Sequence, residues 1–199
     1  MDDKLRSLAT TETSAVQPLL KYVTEVGGKR VRPAITLLCA QFHPHDEAGP
    51  IIMASAVELL HLATLIHDDT VDNSPTRRGR ATVSNTWSPY VAVLFGDYVF
   101  ATSATFVCDT NNIRVIRRFS ETIMELASGQ LMEYFTAYEA AQAKELYNDR
   151  IYRQTASLFC TASASGAVPG GSSDTAVQAL RDVGYNVGMA CRHQKREGT

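Results

Sequence analysis

The chain has 199 residues, 45% hydrophobic and 20% charged, with a formal net charge of -2. That profile fits one globular unit with enough apolar material for a core, so a single domain over residues 1–199 is expected. Basic residues are dense only around Lys29, Arg77 and the C-terminal end, which argues against a nucleic-acid partner. The N-terminus carries no apolar h-region and no stretch reaches about 18 uninterrupted apolar residues; no transmembrane segment is expected, and the chain is expected in the cytoplasm.

In chain order, Asp3 to Val26 holds a weak helical pattern broken at Pro18, which places a helix mainly after Pro18 and a stop at Gly27-Gly28. Pro33 suits the first turn of the next helix, Pro33 to Gln41, so Lys29 and Arg32 fall at a helix N-terminus, where free N–H groups and the dipole favour an anion. Phe42 to Gly49 reads as a loop, and His43 and His45 as loop residues without further ligands at metal spacing. Pro50 opens a long apolar helix to about Asp72, ended by Pro75.

That helix runs into Asp68, Asp69 and Asp72, followed by Arg77, Arg78 and Arg80. Asp68 and Asp72 lie one turn apart on one face, with Asp69 beside them and His61 two turns earlier on the same stripe. Like charges at that spacing repel, and the negative end of the helix dipole adds to the penalty by roughly 0.3–1 kcal/mol per charge. The arrangement calls for a cation. Oxygen ligands without paired His or Cys suit Mg²⁺, which takes one or two carboxylates plus water and phosphate oxygens. Arg77 and Arg78 add planar donor forks matched to phosphate. Either motif alone is commonly a polar helix end or a solvated turn; carboxylates, metal and arginines together describe a diphosphate site.

Ala81 to Ser88 reads as a loop and Pro89 as the start of a buried helix, apolar apart from Gly96-Asp97. Asn111 or Asn112 can cap a helix from Ile113 to about Tyr138, with Gly129 in its middle marking close packing or a ligand. Asn148 or Asp149 begins another helix through Ala164, Gly166 to Ser173 is a loop, and Asp174 can cap a last helix to about Cys191. A polar tail, 192–199, follows. The four cysteines are too far apart for a zinc pattern, and Cys39, Cys108 and Cys160 sit among apolar neighbours, as core cysteines do. No stretch has convincing strand alternation, so the fold class is all-α.

Two motifs in order carry a resemblance. His67-Asp68-Asp69-Thr70-Val71-Asp72 with Thr76-Arg77-Arg78-Gly79 is similar to the first aspartate-rich motif of the trans-isoprenyl (polyprenyl) diphosphate synthases, and Gly27-Gly28-Lys29-Arg30-Val31-Arg32-Pro33 resembles their upstream Gly-Gly-Lys-x-x-Arg-Pro motif. The similarity runs in register from about Val26 to Ala190, through Gly96-Asp97, Ser128-Gly129-Gln130 and Gly184-Tyr185-Asn186-Val187-Gly188. It implies the N-terminal portion of an isoprenoid synthase helical bundle and Mg²⁺-dependent transfer of an allylic diphosphate's prenyl group to isopentenyl diphosphate.

By that resemblance Asp68, Asp69 and Asp72 would hold Mg²⁺. Arg77 would bind the allylic diphosphate, and Lys29, Arg32, His61 and Arg78 would bind isopentenyl diphosphate. Gln130 and Thr155 would face the cavity, Asp97 would line it, Arg30 would face solvent, and His67 would stand behind the ligands. Leu60, Ala63 and Thr64 would floor the tail pocket, whose lack of an aromatic implies products beyond fifteen carbons. The family usually has Lys-Thr where this chain has Gln154-Thr155. It continues after Ala190 with Phe-Gln and a second Asp-Asp-x-x-Asp, where this chain has Cys191-Arg192-His193. The expectation is therefore a C-terminally truncated domain and a poor catalyst or none. A homo- or heterodimer, contact with a membrane surface through the product, and a non-catalytic subunit partnering a complete synthase are the accompanying expectations. A class I terpene cyclase is disfavoured because it would have no use for the Lys29 and Arg32 site.

Overall fold

Helices account for nearly all the regular structure of the computed structural model, which describes residues 1–199 apart from 12, 26–27, 45–47, 137–143, 169–171 and 198–199. The order is α1 (Asp2–Thr11), α2 (Gln17–Glu25), α3 (Val31–Ala40), α4 (Ala48–Val71), a two-residue ladder of β1 (Thr76–Arg77) and β2 (Arg80–Ala81), then α5 (Val83–Thr86), α6 (Pro89–Asp109), α7 (Ile113–Thr136), α8 (Lys144–Ile151), a π-helical turn (Tyr152–Ala156), α9 (Ser157–Ala167) and α10 (Asp174–Glu197). The all-α class holds.

Helix α4 is the axis, packing on α6, α3 and α9. Its apolar character comes from this surrounding: Met53, Val57, Leu60 and Ala63 are fully buried. By length and composition alone α4 and α6 could cross a membrane; 61% of the apolar window of α4 is buried inside the protein, as in the core helix of a bundle, whereas α6, expected to be buried, has 33% of its window buried. All of α9 is buried, and its many small residues let neighbours come close. A Cβ at Gly184 of α10 would stand 2.5 Å from the Phe159 carbonyl oxygen, so only glycine permits this approach of α10 to α9.

The end of α4 is set by its sequence. Asn73 takes a left-handed backbone (φ 51°), the Asn73 N–H reaches the Thr70 carbonyl at 3.4 Å, and the Ser74 N–H reaches the Asp69 carbonyl at 2.9 Å, the pattern of a Schellman stop. Asp68, Asp69 and Asp72 are thereby fixed at the negative end of the dipole. Arg78 and Gly79 both have positive φ (53° and 78°), as a two-residue hairpin turn requires, and pair Thr76 with Ala81 and Arg77 with Arg80. Tyr22 of α2 pins this hairpin by donating to the Ala81 carbonyl at 2.7 Å.

Several expectations need correction. A separate helix, α1, precedes Pro18, held by Leu5 in the core; α2 begins one residue before Pro18, which sits in its first turn. Pro33 and Pro50 are each the third residue of their helices rather than the first, still within the turn whose N–H groups need no partner. Within Ala81 to Ser88 lie the last residue of β2 and all of α5, the latter capped by the Thr82 hydroxyl. The helix expected from Asn148 starts at Lys144 and contains the π turn. Gly166 and Ala167 belong to α9 rather than to the loop after it. The Ser173 hydroxyl, not Asp174, caps α10, accepting from Ala176 N–H at 3.3 Å. Helix α10 runs on to Glu197, through most of the stretch read as a tail. Cys108 is exposed, on the outer side of α6, whereas Cys39 and Cys160 are buried. Asn112, of the two candidates, caps α7, accepting from Arg114 N–H at 3.1 Å. Gly27 and His45 lie outside the described residues.

Candidate functional site

The C-terminal end of α4, the hairpin, the N-terminus of α3, the middle of α7, the π turn and Cys191 of α10 surround one cavity of about 1050 Å³. Lys29, Arg32, His61, Asp68, Asp69, Asp72, Arg77, Arg78, Gln130 and Thr155, the residues singled out from the sequence, all line it. Helix α10 reaches the same cavity through Cys191.

On the carboxylate side the three aspartates are not equivalent. Asp69 is buried and already partnered: Arg77 Nε donates to both of its carboxylate oxygens, at 2.8 and 2.7 Å, and Arg77 Nη2 lies 2.6 Å from Oδ1. This bidentate pairing holds the Arg77 guanidinium above its ordinary pKa. Asp68 accepts from Gln130 Nε2 at 2.6 Å. Burial pushes its carboxyl above the usual range; the Gln130 hydrogen bond opposes that, and the neighbouring charge of Asp72 adds to it.

Among the described residues no three His, Cys, Asp or Glu side chains converge as a finished metal cage. The donor chemistry still fits Mg²⁺, which binds through one or two carboxylates and completes its sphere with water and phosphate oxygens. Asp68 and Asp72 are the carboxylates open to that role, with Asp69 tied to Arg77. A cation would also offset the charge of Asp72, which adds to the effect of burial on Asp68.

On the opposite wall lies the cationic side. Val31 and Arg32 open α3, so their N–H groups face no preceding turn. The Arg32 guanidinium stacks 4.5 Å over the Phe159 ring, and its Nε is buried without a hydrogen-bond partner. Burial pushes its pKa down, against the raising influence of Glu58. A cation with an unused buried donor beside a helix N-terminus has the chemistry of an anion site. A Cβ on Gly28 would lie 3.0 Å from Arg78 Nη1, the mobile end of that side chain, so a larger residue there would shift the guanidinium by a few tenths of an ångström.

An amide chain links Asp68 on α4 to α7 and the π turn. Gln154 Nε2 donates to Gln130 Oε1 at 3.2 Å, to the Gly129 carbonyl at 3.3 Å and to Glu133 Oε2, while Gln130 donates to Asp68. The π turn makes this possible by bringing Gln154 and Thr155 toward α7, where Gly129 leaves room for the Arg153 stem.

A smaller pocket of about 180 Å³ opens beside Asp68, lined by Leu60, Thr64, Phe100, Ile123, Leu126 and Ala127. Ala63 is wholly buried in the core and does not line it, and the aromatic wall comes from Phe100 of α6. Asp97 does not line the main cavity: the inner face of α6 carries Ala92, Phe95, Gly96 and Val99, leaving Asp97 outside, 3.3 Å from His67 Nε2. Arg30 does not face solvent alone; it turns inward to Glu58. Glu58 was missed although it lies three residues before His61, on the same stripe as Asp68 and Asp72.

Residues 13–194 match the family model for polyprenyl synthetase. Heptaprenyl diphosphate synthase component 2 of Geobacillus stearothermophilus is 33% identical over 190 residues, covering 96% of this chain and 59% of that protein. The crystal structure of heptaprenyl diphosphate synthase from Staphylococcus aureus superposes with a TM-score of 0.90 at 31% identity, over 94% of this chain and 60% of that one. A polyprenyl synthase from Caulobacter crescentus, complexed with calcium and isoprenyl diphosphate, gives a TM-score of 0.88 at 32% identity, over 94% and 57%. The fold is thus that of an isoprenoid synthase bundle, and the chain belongs to the polyprenyl synthetase family. It spans at most 60% of the length of these relatives.

Proposed function

We propose that this chain carries the substrate-binding front of a prenyltransferase that condenses an allylic diphosphate with isopentenyl diphosphate. The observation that carries the reading is the single cavity with Asp68 and Asp72 on one wall and Lys29, Arg32 and Arg78 on the other. The calcium and isoprenyl diphosphate named for the Caulobacter relative support it. Asp68 and Asp72, with Asp69 through Arg77, hold Mg²⁺ and the allylic diphosphate; Lys29, Arg32, His61 and Arg78 hold isopentenyl diphosphate; Thr155 and Gln130 orient the departing group. When bound, the metal supplies charge neutralisation for the leaving diphosphate. The C–O bond of the allylic diphosphate breaks with its electron pair leaving on oxygen, the isopentenyl double bond supplies the electrons for the new C–C bond, and a proton is lost. Leu60, Thr64 and Phe100 receive the apolar tail. In this reading the chain acts in the cytoplasm and meets the membrane only through its product.

A second reading, a subunit working against a partner chain, is supported by the apolar side chains that α6 and α7 leave exposed, Tyr90, Leu94, Met124, Leu131 and Phe135 among them. The similarity to a protein named as a synthase component supports it as well. Gln154 in the place of the family's Lys removes one cation from the allylic site, so slow turnover is expected of this chain alone. Calorimetry with an allylic diphosphate and Mg²⁺ tests the shared core of both readings: binding should be lost in the Asp68→Ala, Asp69→Ala double variant. Unchanged affinity there would refute it. Turnover measured with the chain alone and with a complete synthase added separates the two readings.

A further inference from the structure

Arg30 has a left-handed backbone (φ 49°, ψ 31°), a conformation a long side chain rarely adopts without being held. It sits between Lys29 and the first turn of α3, so its backbone decides where both Lys29 and Arg32 point. The Arg30 side chain turns back toward α4, where Nη1 donates to Glu58 Oε1, and its Nε stands 3.6 Å from Asp2 Oδ1 of α1. Glu58 is a buried carboxylate within an otherwise apolar run of α4, one turn before His61. A carboxylate in such a place is costly unless paired. A Cβ built on Gly28 would stand 3.6 Å from Glu58 Oε1 and 3.0 Å from Arg78 Nη1, so the carboxylate lies against the backbone of the loop and next to the incoming arginine.

We propose that Glu58 and Arg30 are positioning residues: their ion pair holds the left-handed turn at residue 30 and so preforms the Lys29 and Arg32 cradle before any diphosphate arrives. The inference rests on the reading of that cradle as a diphosphate site. Glu58 also neutralises a cluster of like charges that would otherwise repel one another, and a cradle already assembled gives up less on binding. A negative charge near an anion site opposes binding by Coulomb's law, so its presence here is explained by geometry and not by attraction.

That opposition provides the test. Inorganic pyrophosphate binding is measured by calorimetry without Mg²⁺ on the parent, Lys29→Ala, Glu58→Gln, Arg30→Ala and Arg30→Asn proteins. The parent should bind, and Lys29→Ala should weaken it. Glu58→Gln keeps an oxygen that can accept from Arg30 but loses the charge, so it should bind about tenfold more weakly, the size of the step from a charge-assisted to a neutral hydrogen bond, although it removes a repelling charge. Arg30→Ala and Arg30→Asn lose the same charge, but asparagine tolerates the left-handed backbone, so the Asn variant should bind several-fold more tightly than the Ala variant. This second pair keeps Glu58 and alters only a partly exposed residue, so it remains decisive if Glu58→Gln fails to fold. Equal affinities in the Ala and Asn variants, or binding by Glu58→Gln as tight as the parent or tighter, would overturn the positioning role while leaving the cradle intact. No metal-free binding by the parent, or no effect of Lys29→Ala, would overturn the cradle reading and this inference with it.

Discussion

Replacing Gly129 with Ala tests how the bundle's packing supports the site. Gly129 lies in the middle of α7, and a Cβ built there would be 2.8 Å from the Arg153 Cβ, 3.0 Å from Gln154 Cγ and 3.2 Å from the Gln154 backbone nitrogen. Carbon atoms rest at about 3.5–4.0 Å, so the π turn must move away by most of an ångström. The closest atom is a side-chain stem and another is backbone, which leaves no flexible end to yield. Overpacking of this kind costs about 2–3 kcal/mol, the upper part of the usual range. Alanine returns about 1 kcal/mol of helix propensity. The net loss is about 1–2 kcal/mol, which for a chain of this size lowers Tm by about 2–8 °C. The displaced turn also carries Gln154, whose bond to Gln130 steadies the Gln130 bond to Asp68, so allylic diphosphate affinity with Mg²⁺ should fall several-fold. Thermal unfolding followed by circular dichroism, with calorimetry on the same sample, measures both. A variant melting at or above the parent with unchanged affinity would refute the reasoning.

Asp68→Asn should melt above the parent at neutral pH without divalent cations. A carboxyl raised by burial stabilises the fold only while protonated, so its contribution is complete below the ordinary value of 3.8 and disappears as pH rises through the raised one. The gap should narrow as pH is lowered toward 3.8, and Mg²⁺ should raise the melting temperature of the parent more than that of the variant; a parent that is the more stable of the two at pH 7 would contradict this. Arg77→Ala should destabilise by about 1–3 kcal/mol in denaturant unfolding, since it strands a buried carboxylate; the figure is kept below that of a fully buried pair because 39% of the Arg77 side chain is exposed. Thr64→Phe should weaken an allylic diphosphate but not pyrophosphate, by filling the apolar pocket, whereas Ala63→Phe should chiefly lower Tm because Ala63 has no exposed surface.

The cavity residues were legible because their chemistry is conspicuous: carboxylates at the wrong end of a helix dipole, and cations at the start of one, need a ligand wherever they occur. Residues that serve the site through shape or pairing were not. Arg30 looked like a solvated neighbour of Lys29, and only the left-handed backbone that aims it at Glu58 gives it another partner. Glu58 was hidden in an apolar run, although its spacing from His61 was available. Ala63 was placed in the tail pocket from its distance to Asp68, but the packing of α6 on α4 turns it into the core and brings Phe100 instead. The π turn has no sequence signal of its own; it follows from fitting Arg153 and Gln154 against Gly129. The hairpin escaped detection because its two-residue strands are too short to show alternation, though the Gly79 turn was visible.

In the proposed function one cavity holds two diphosphates by different means, one through carboxylates and metal, the other through Lys29, Arg32 and Arg78. Calorimetric titration of isopentenyl diphosphate and of farnesyl diphosphate, each with and without Mg²⁺, tests it most directly. Isopentenyl diphosphate should bind in both conditions at one site per chain, and farnesyl diphosphate should bind appreciably only with Mg²⁺. Equal Mg²⁺ dependence for both ligands, or competition for a single site, would contradict it.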